Sequence, residues 1–206
     1  MLRLLPFRQY DEQDVINIFA LETGISVGST TGTSLGDNGV FVKVSDGNFN
    51  QDTIEYGSNS YLGKTDYPFV GGDMYPTNPL TITGAGSGEL PLGLTLNQTA
   101  ETDENGEKLL YNATKKEELQ AVLPGQTVPV ATKGIFTLAT EAFDGAASLY
   151  TVGTGIKISN SNVGKITGVA PSDSLAFGTV IGTGSRASSA GLTDQFDGEY
   201  IVVKIG

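Results

Sequence analysis

The chain contains no histidine, no cysteine and no tryptophan, and the first two absences each remove a chemistry. Without cysteine there is no disulfide framework, no zinc–thiolate site and no thiol nucleophile. Without histidine there is no Ser-His-Asp triad and no imidazole ligand for a metal. Charge is scarce as well: charged residues make up 17% of the chain, against roughly 25% in an average domain. Basic residues are the scarcer sign, 12 against 23 acids, for a net charge of −11. Nucleic-acid binding relies on clustered Lys and Arg. Here the one adjacent basic pair, Lys115-Lys116, is followed at once by Glu117-Glu118. No nucleic acid is therefore expected as a partner. No apolar run approaches the about 20 residues that span a bilayer, so no membrane partner is expected either.

Glycine is what the chain has in excess, with 28 of 206 residues, nearly twice the usual share of roughly 7%. Thr, Ser and Asn accompany it. This composition predicts an all-β fold of many short strands joined by tight turns. The length suits one large β domain or two small ones.

Three segments are expected. Residues 1–22 read as an N-terminal arm, 23–118 as a loop-rich β region, and 119–206 as a small β-barrel or sandwich. The arm, "LLPFRQYDEQDVINIFAL", is apolar and proline-kinked, then acidic at Asp11, Glu12 and Asp14, then apolar again. It is too charged and broken for a signal peptide, so something must cover its apolar residues. Val15 to Leu21 suits a buried strand or the end of a short helix. "DNG" at Asp37 to Gly39 is a hairpin-turn signal leading to a strand over Val40 to Val44. Residues 45–80 are loop-rich and carry Tyr56, Tyr61, Tyr67 and Tyr75, whose hydroxyls are expected at the surface. Pro79 to Thr83 reads as a strand. "ENGE", Glu104 to Glu107, predicts a hairpin between "LTLNQTAETD" and "KLLYNAT", and "KKEELQAV" allows one helical turn. From Leu123 onward, "PGQTVPVAT", "GIFTLATEAF", "ASLYTVG", "GIKISN", "GKITGVAP", "AFGTVIGTG" and "GEYIVVKIG" are seven segments of strand length with turn residues between them. The last of them pins the C-terminus into a sheet.

Motifs that suggest chemistry fail on spacing. "GAGSG", Gly84 to Gly88, lacks the third glycine position and the following helix of a dinucleotide loop, so a flexible hairpin loop is expected. "GTGSRASSAG" lacks the Gly-Lys-Ser/Thr ending of a P-loop. "TDENGEK" places its glycine too early for an EF-hand. Paired carboxylates suit a glycosidase, but nothing singles out one pair among 23 acids. Asn97 and Asn112 match the glycosylation pattern and read as ordinary residues without a secretory signal.

One resemblance rests on the C-terminal half. "LPGQTVPVATKGIFTL", "LYTVGTGIKISNSNVGKITGVAPSDSLAFGTVIGTG" and the final "YIVVKIG" resemble the small β-barrel of capsid cement (decoration) proteins of tailed bacteriophages. Pro124, Gly125, Val128, Val130, Gly134, Ile135, Phe136 and Leu138 carry the likeness, and "LPLGLTLNQT" is similar to the strand that precedes them. The opening segment is similar to the N-terminal arm of head proteins from phages of marine bacteria. Roughly the last 120 residues and the first 20 are covered. The resemblance implies a non-enzymatic virion protein without cofactors. It would lie on the outer surface of an icosahedral head and clamp neighbouring major capsid subunits, often as a trimer. The implied partners are the major capsid protein and neighbouring copies of the chain, as a homotrimer where that arrangement holds. The arm is then expected to contact the capsid through Leu4, Leu5, Pro6, Phe7, Arg8 and Tyr10. Strand addition is one mode of contact, and folding back onto the chain's own barrel is the alternative. Two other classes stay open at this point. One is a phage tail, fibre or carbohydrate-binding adhesive protein, favoured by an aromatic patch built from the four tyrosines. The other is an acid-pair hydrolase.

Overall fold

The computed structural model describes residues 3–21, 35–36, 38–46, 81–100, 105, 107–123, 125–187 and 196–206. The fold is all-β, as the composition predicts. Its strands are β1 (Leu4–Gln9), β2 (Val15–Ile16), β3 (Ala20–Leu21), β4 (Leu35–Gly36), β5 (Phe41–Asp46), β6 (Thr81–Gly84), β7 (Gly93–Thr95), β8 (Gln98–Ala100), β9 (Ala121–Val122), β10 (Val130–Ala131), β11 (Gly134–Ala139), β12 (Gly155–Ile158), β13 (Ile166–Val169), β14 (Gly178–Arg186) and β15 (Gly198–Ile205). One α-helix of the described residues, α1 (Ala113–Glu118), starts where the Asn112 side chain accepts from the Lys115 N–H at 3.2 Å. This is an N-cap.

The first sheet has the order β1-β11-β15-β14-β12-β13, and every neighbouring pair is antiparallel. Its last strand alternates. In β15, Ile201, Val203 and Ile205 are buried, while Val202 and Lys204 point the other way. That is the period-two pattern of a sheet with one covered face.

The second sheet has the order β2-β10-β7-β5-β6-β3. Its middle is buried on both sides. Phe41, Leu94 and Ala131 join Phe136, Leu138, Ile156, Val180, Ile201 and Val203 in a core shared with the first sheet. Val40, Val42, Ile82 and Val130 enter a second core with Phe19, Leu21, Val122 and Val128. Close strand approach is built into this sheet. A Cβ on Gly93 would lie 2.2 Å from the Ala131 carbonyl oxygen, so only glycine fits there.

The sheets are tied by the loop between β12 and β13. Phe41 N–H donates to the Gly164 carbonyl at 3.2 Å, and Gly164 N–H donates to Ala85 at 2.9 Å. The second sheet also curls. At its β3 end, residues 19–21 hydrogen-bond with 125–128, the segment that runs into β10 near the opposite end. The described strands form two open six-stranded sheets with a three-stranded companion, β4-β8-β9, and no continuous closed barrel.

Sheet membership crosses the expected segments. β1 from the arm is an edge of the first sheet, and β10 from the C-terminal segment belongs to the second. Val15–Leu21 supplies two short strands, β2 and β3, at opposite ends of the second sheet. Several local expectations are corrected. The residues after "ENGE" are not a strand: Leu109–Tyr111 is a 3-10 turn with Leu109 buried beside Ala100, Ala121 and Leu123 and Leu110 packed against them. Two adjacent inward leucines suit a helical turn, because a strand would send them to opposite faces. Likewise "ASLYTVG" begins as a 3-10 turn, Ala147–Leu149. "DNG" does turn at Gly39, at φ +76°, but β4 and β5 lie in different sheets and make no hairpin. "GAGSG" is not a hairpin loop either, since β6 and β7 flank β5 and the loop crosses its end.

Candidate functional site

The N-terminal strand is the segment to which the sequence points, and the structure divides it in two. Its first residues are clasped. Ala139 N–H donates to the Arg3 carbonyl at 2.8 Å, and Leu4 N–H donates to Asn38 Oδ1 at 3.3 Å. Leu4 lies opposite Leu138 and enters the shared core, and Leu5 is buried too. Both leucines are therefore covered by their own chain. With β1 docked, neither is exposed to a groove on a neighbour. Tyr10 is half-buried and stacks on Phe136, with ring centroids 5.8 Å apart and an interplanar angle of 19°. It too is engaged internally.

Between these anchors the ladder breaks. Leu4 pairs with Leu138, but the next pair is Arg8 with Phe136, so three residues of β1 oppose one of β11. Pro6 sits in this irregularity. It has no N–H to donate, and proline within sheets is confined to edges and bulges. Pro6, Phe7, Arg8 and Gln9 are all exposed, Phe7 at 69%. β1 is an outer edge of its sheet, and the proline, the bulge and the neighbouring charge are devices that discourage another strand from pairing there. The edge thus presents side chains, an aromatic ring beside a guanidinium, rather than a clean row of main-chain groups.

The acidic residues that follow have structural tasks. Asp11 Oδ1 accepts from Gln13 N–H at 3.0 Å and caps a 3-10 turn, Glu12–Asp14. The Asp14 carbonyl accepts from both Thr132 N–H and Thr132 Oγ1, each at 2.9 Å. These bonds fasten the base of the arm to the second sheet.

The glycine loop at 84–88 is closed from within. Glu89 accepts from Gly86 N–H at 2.7 Å and from Lys43 Nζ at 2.6 Å. The Lys43 ammonium and then the Gly86 N–H hold its carboxyl below the ordinary value.

A polar network around the loop between β12 and β13 has no counterpart in the sequence reading. Asp144 accepts from Ser159 Oγ and, at 2.8 Å, from Asn162 Nδ2. Ser159 Oγ accepts in turn from the N–H groups of Ser161 and Asn162, each at 3.0 Å. The buried Tyr150 hydroxyl donates to the carbonyls of Asp144 at 2.8 Å and Ile166 at 3.2 Å. Burial pushes the Tyr150 phenol up to about 12. The Ser159 hydroxyl is consumed by these bonds and shapes the loop that reaches the second sheet. Only the local density of Ser and Asn in "SNSNVG" hints at it.

Among the described residues no group of three or more His, Cys, Asp or Glu is placed to hold a metal ion, and no helix is long and apolar enough to cross a membrane. Tyr56, Tyr61, Tyr67 and Tyr75 lie outside the described residues, as do Asp103, Glu104, Gly106 and Pro124. No family model, curated protein or solved structure matches the chain. The likeness to cement proteins therefore stands on the residues quoted for it and on nothing else.

Proposed function

We propose that this chain is a virion structural protein that binds the outer surface of an icosahedral phage head and clamps neighbouring major capsid subunits. The observation that carries the reading is the presentation of Phe7. A 69% exposed aromatic ring is held on an edge strand whose two ends are anchored in the fold. Exposed aromatic and Arg side chains are the residue types that dominate binding at protein interfaces, and a rigid support lowers the entropy lost on docking. Pro6 and Arg8 flank the ring, and Arg8 makes no ion pair among the described residues. The contact set is then Pro6, Phe7 and Arg8, with Leu4, Leu5 and Tyr10 holding them in place. The net charge of −11 keeps such a surface protein soluble. The major capsid protein is the proposed partner, with neighbouring copies of the chain as the second.

Quantitative mass spectrometry of purified virus particles tests the reading. The expected result is a lattice-compatible ratio to the major capsid protein. A few copies per particle would move the chain to the tail or fibre, and absence from the particle would overturn the virion role.

A further inference from the structure

The turn that clasps the arm is an Asn-Gly pair, Asn38-Gly39. Such pairs are chemically labile, because a glycine nitrogen meets no Cβ hindrance as it attacks the preceding side-chain carbonyl carbon. A bond forms between the Gly nitrogen and Asn Cγ, and the Cγ–Nδ2 bond breaks. The proton of the glycine nitrogen leaves with the ammonia. Water then opens the imide ring to aspartate or isoaspartate.

In the folded chain both reacting groups are held apart from this reaction. Gly39 N–H donates to the Thr95 carbonyl at 2.7 Å. Asn38 Oδ1 accepts the Leu4 N–H at 3.3 Å. Gly39 is buried, and the Leu4 nitrogen lies 3.0 Å from the position a Gly39 Cβ would take, with Arg3 Cβ at 3.1 Å. The docked strand lies directly on the pair.

We propose that Asn38 is a deamidation site that the docked N-terminal strand keeps closed, and that opens when the strand leaves β11. Ring closure requires the Asn38 side chain to turn toward the Gly39 nitrogen. That movement breaks the bond from Leu4, and activation of the nitrogen breaks the bond to Thr95. The isoaspartate product routes the main chain through the side-chain carbon and moves Gly39 away from Arg3 and Leu4. A chain modified in this way grips its arm less firmly. The inference stands apart from the virion reading, since it concerns only how the arm is held.

Peptide-mapping mass spectrometry, which reads the mass difference between amide and acid at Asn38, tests this on the full chain at mildly alkaline pH. Conversion in the native protein is expected to be roughly tenfold or more slower than in the denatured protein, the factor set by breaking about one to two hydrogen bonds. Leu4→Pro removes the N–H that faces Asn38, and deletion of residues 2–9 removes the strand. Whichever of the two keeps the parent circular-dichroism spectrum should convert several-fold faster than the parent. Equal rates in native and denatured protein overturn the proposal, and so does a folded variant whose Asn38 converts no faster than the parent's.

Discussion

The two six-stranded sheets share a core but bury themselves differently. The first sheet turns Ile201, Val203 and Ile205 of β15 inward and leaves Val202 and Lys204 on its outer face. The second sheet sends Phe41 into the shared core and Val40 and Val42 into another behind it. One sheet is a wall with an outside, and the other is an interior partition. In the wall, the cost of a substitution depends on which face it strikes. In the partition, either face is costly. Phe41→Ala should destabilise the fold by about 3–5 kcal/mol, the range for truncating a buried Phe. Val202→Ala, on the half-buried outer face of the wall, should cost about 1 kcal/mol. Denaturant melts of both variants check this. Near-equal losses would abolish the distinction between the sheets.

The polar network around Tyr150, beneath the wall's β12–β13 loop, responds to pH. Burial raises the Tyr150 phenol from an ordinary value of 10.0 to about 12. A group raised in the folded state contributes stability that is complete below its unfolded value and is lost as pH climbs through the folded one. Stability should therefore fall between pH 10.0 and about 12, by roughly 2–3 kcal/mol in all. Tyr150→Phe should remove that part of the slope. It should also cost about 1–2 kcal/mol at neutral pH, because the carbonyls of Asp144 and Ile166 lose a donor. Thermal melts across the alkaline range compare the two proteins. An unchanged slope in Tyr150→Phe would place the alkaline loss on another group.

The same contrast explains what was legible in the sequence. β11, β12, β13, β14 and β15 are each readable as strands, because they are of strand length, carry β-branched residues and are bounded by turn residues, and β15 alternates as well. β7, β9 and β10 are two or three residues long, too short for any period to show. The stretch after "ENGE" misled for a related reason: an Asn-Gly turn signal is strong, but Leu109 and Leu110 follow helical rather than alternating spacing. The candidate site was legible in part. The apolar opening announced that Leu4 and Leu5 need cover, and the proline announced an edge. That the cover is the chain's own β11 and the Asn38-Gly39 turn had no local signal, because both partners lie far along the chain and pairing across such separations leaves no short-range pattern.

The smallest expected change in stability is the one with most to say about function. Within β1, Leu4 is an anchor in the wall, whereas Phe7 three residues later faces solvent. Truncating an exposed side chain with no buried contacts usually changes stability by no more than about 0.5 kcal/mol. Phe7→Ala should therefore melt like the parent. The proposed role makes the opposite demand on binding, since removal of a central aromatic contact typically costs about 2 kcal/mol or more. Phe7→Ala should lose most of its binding to particles stripped of this protein, measured by co-sedimentation. A variant that binds like the parent would remove Phe7 from the contact, and with it the observation on which the capsid reading rests. A variant that loses stability as well as binding would instead make Phe7 part of the wall.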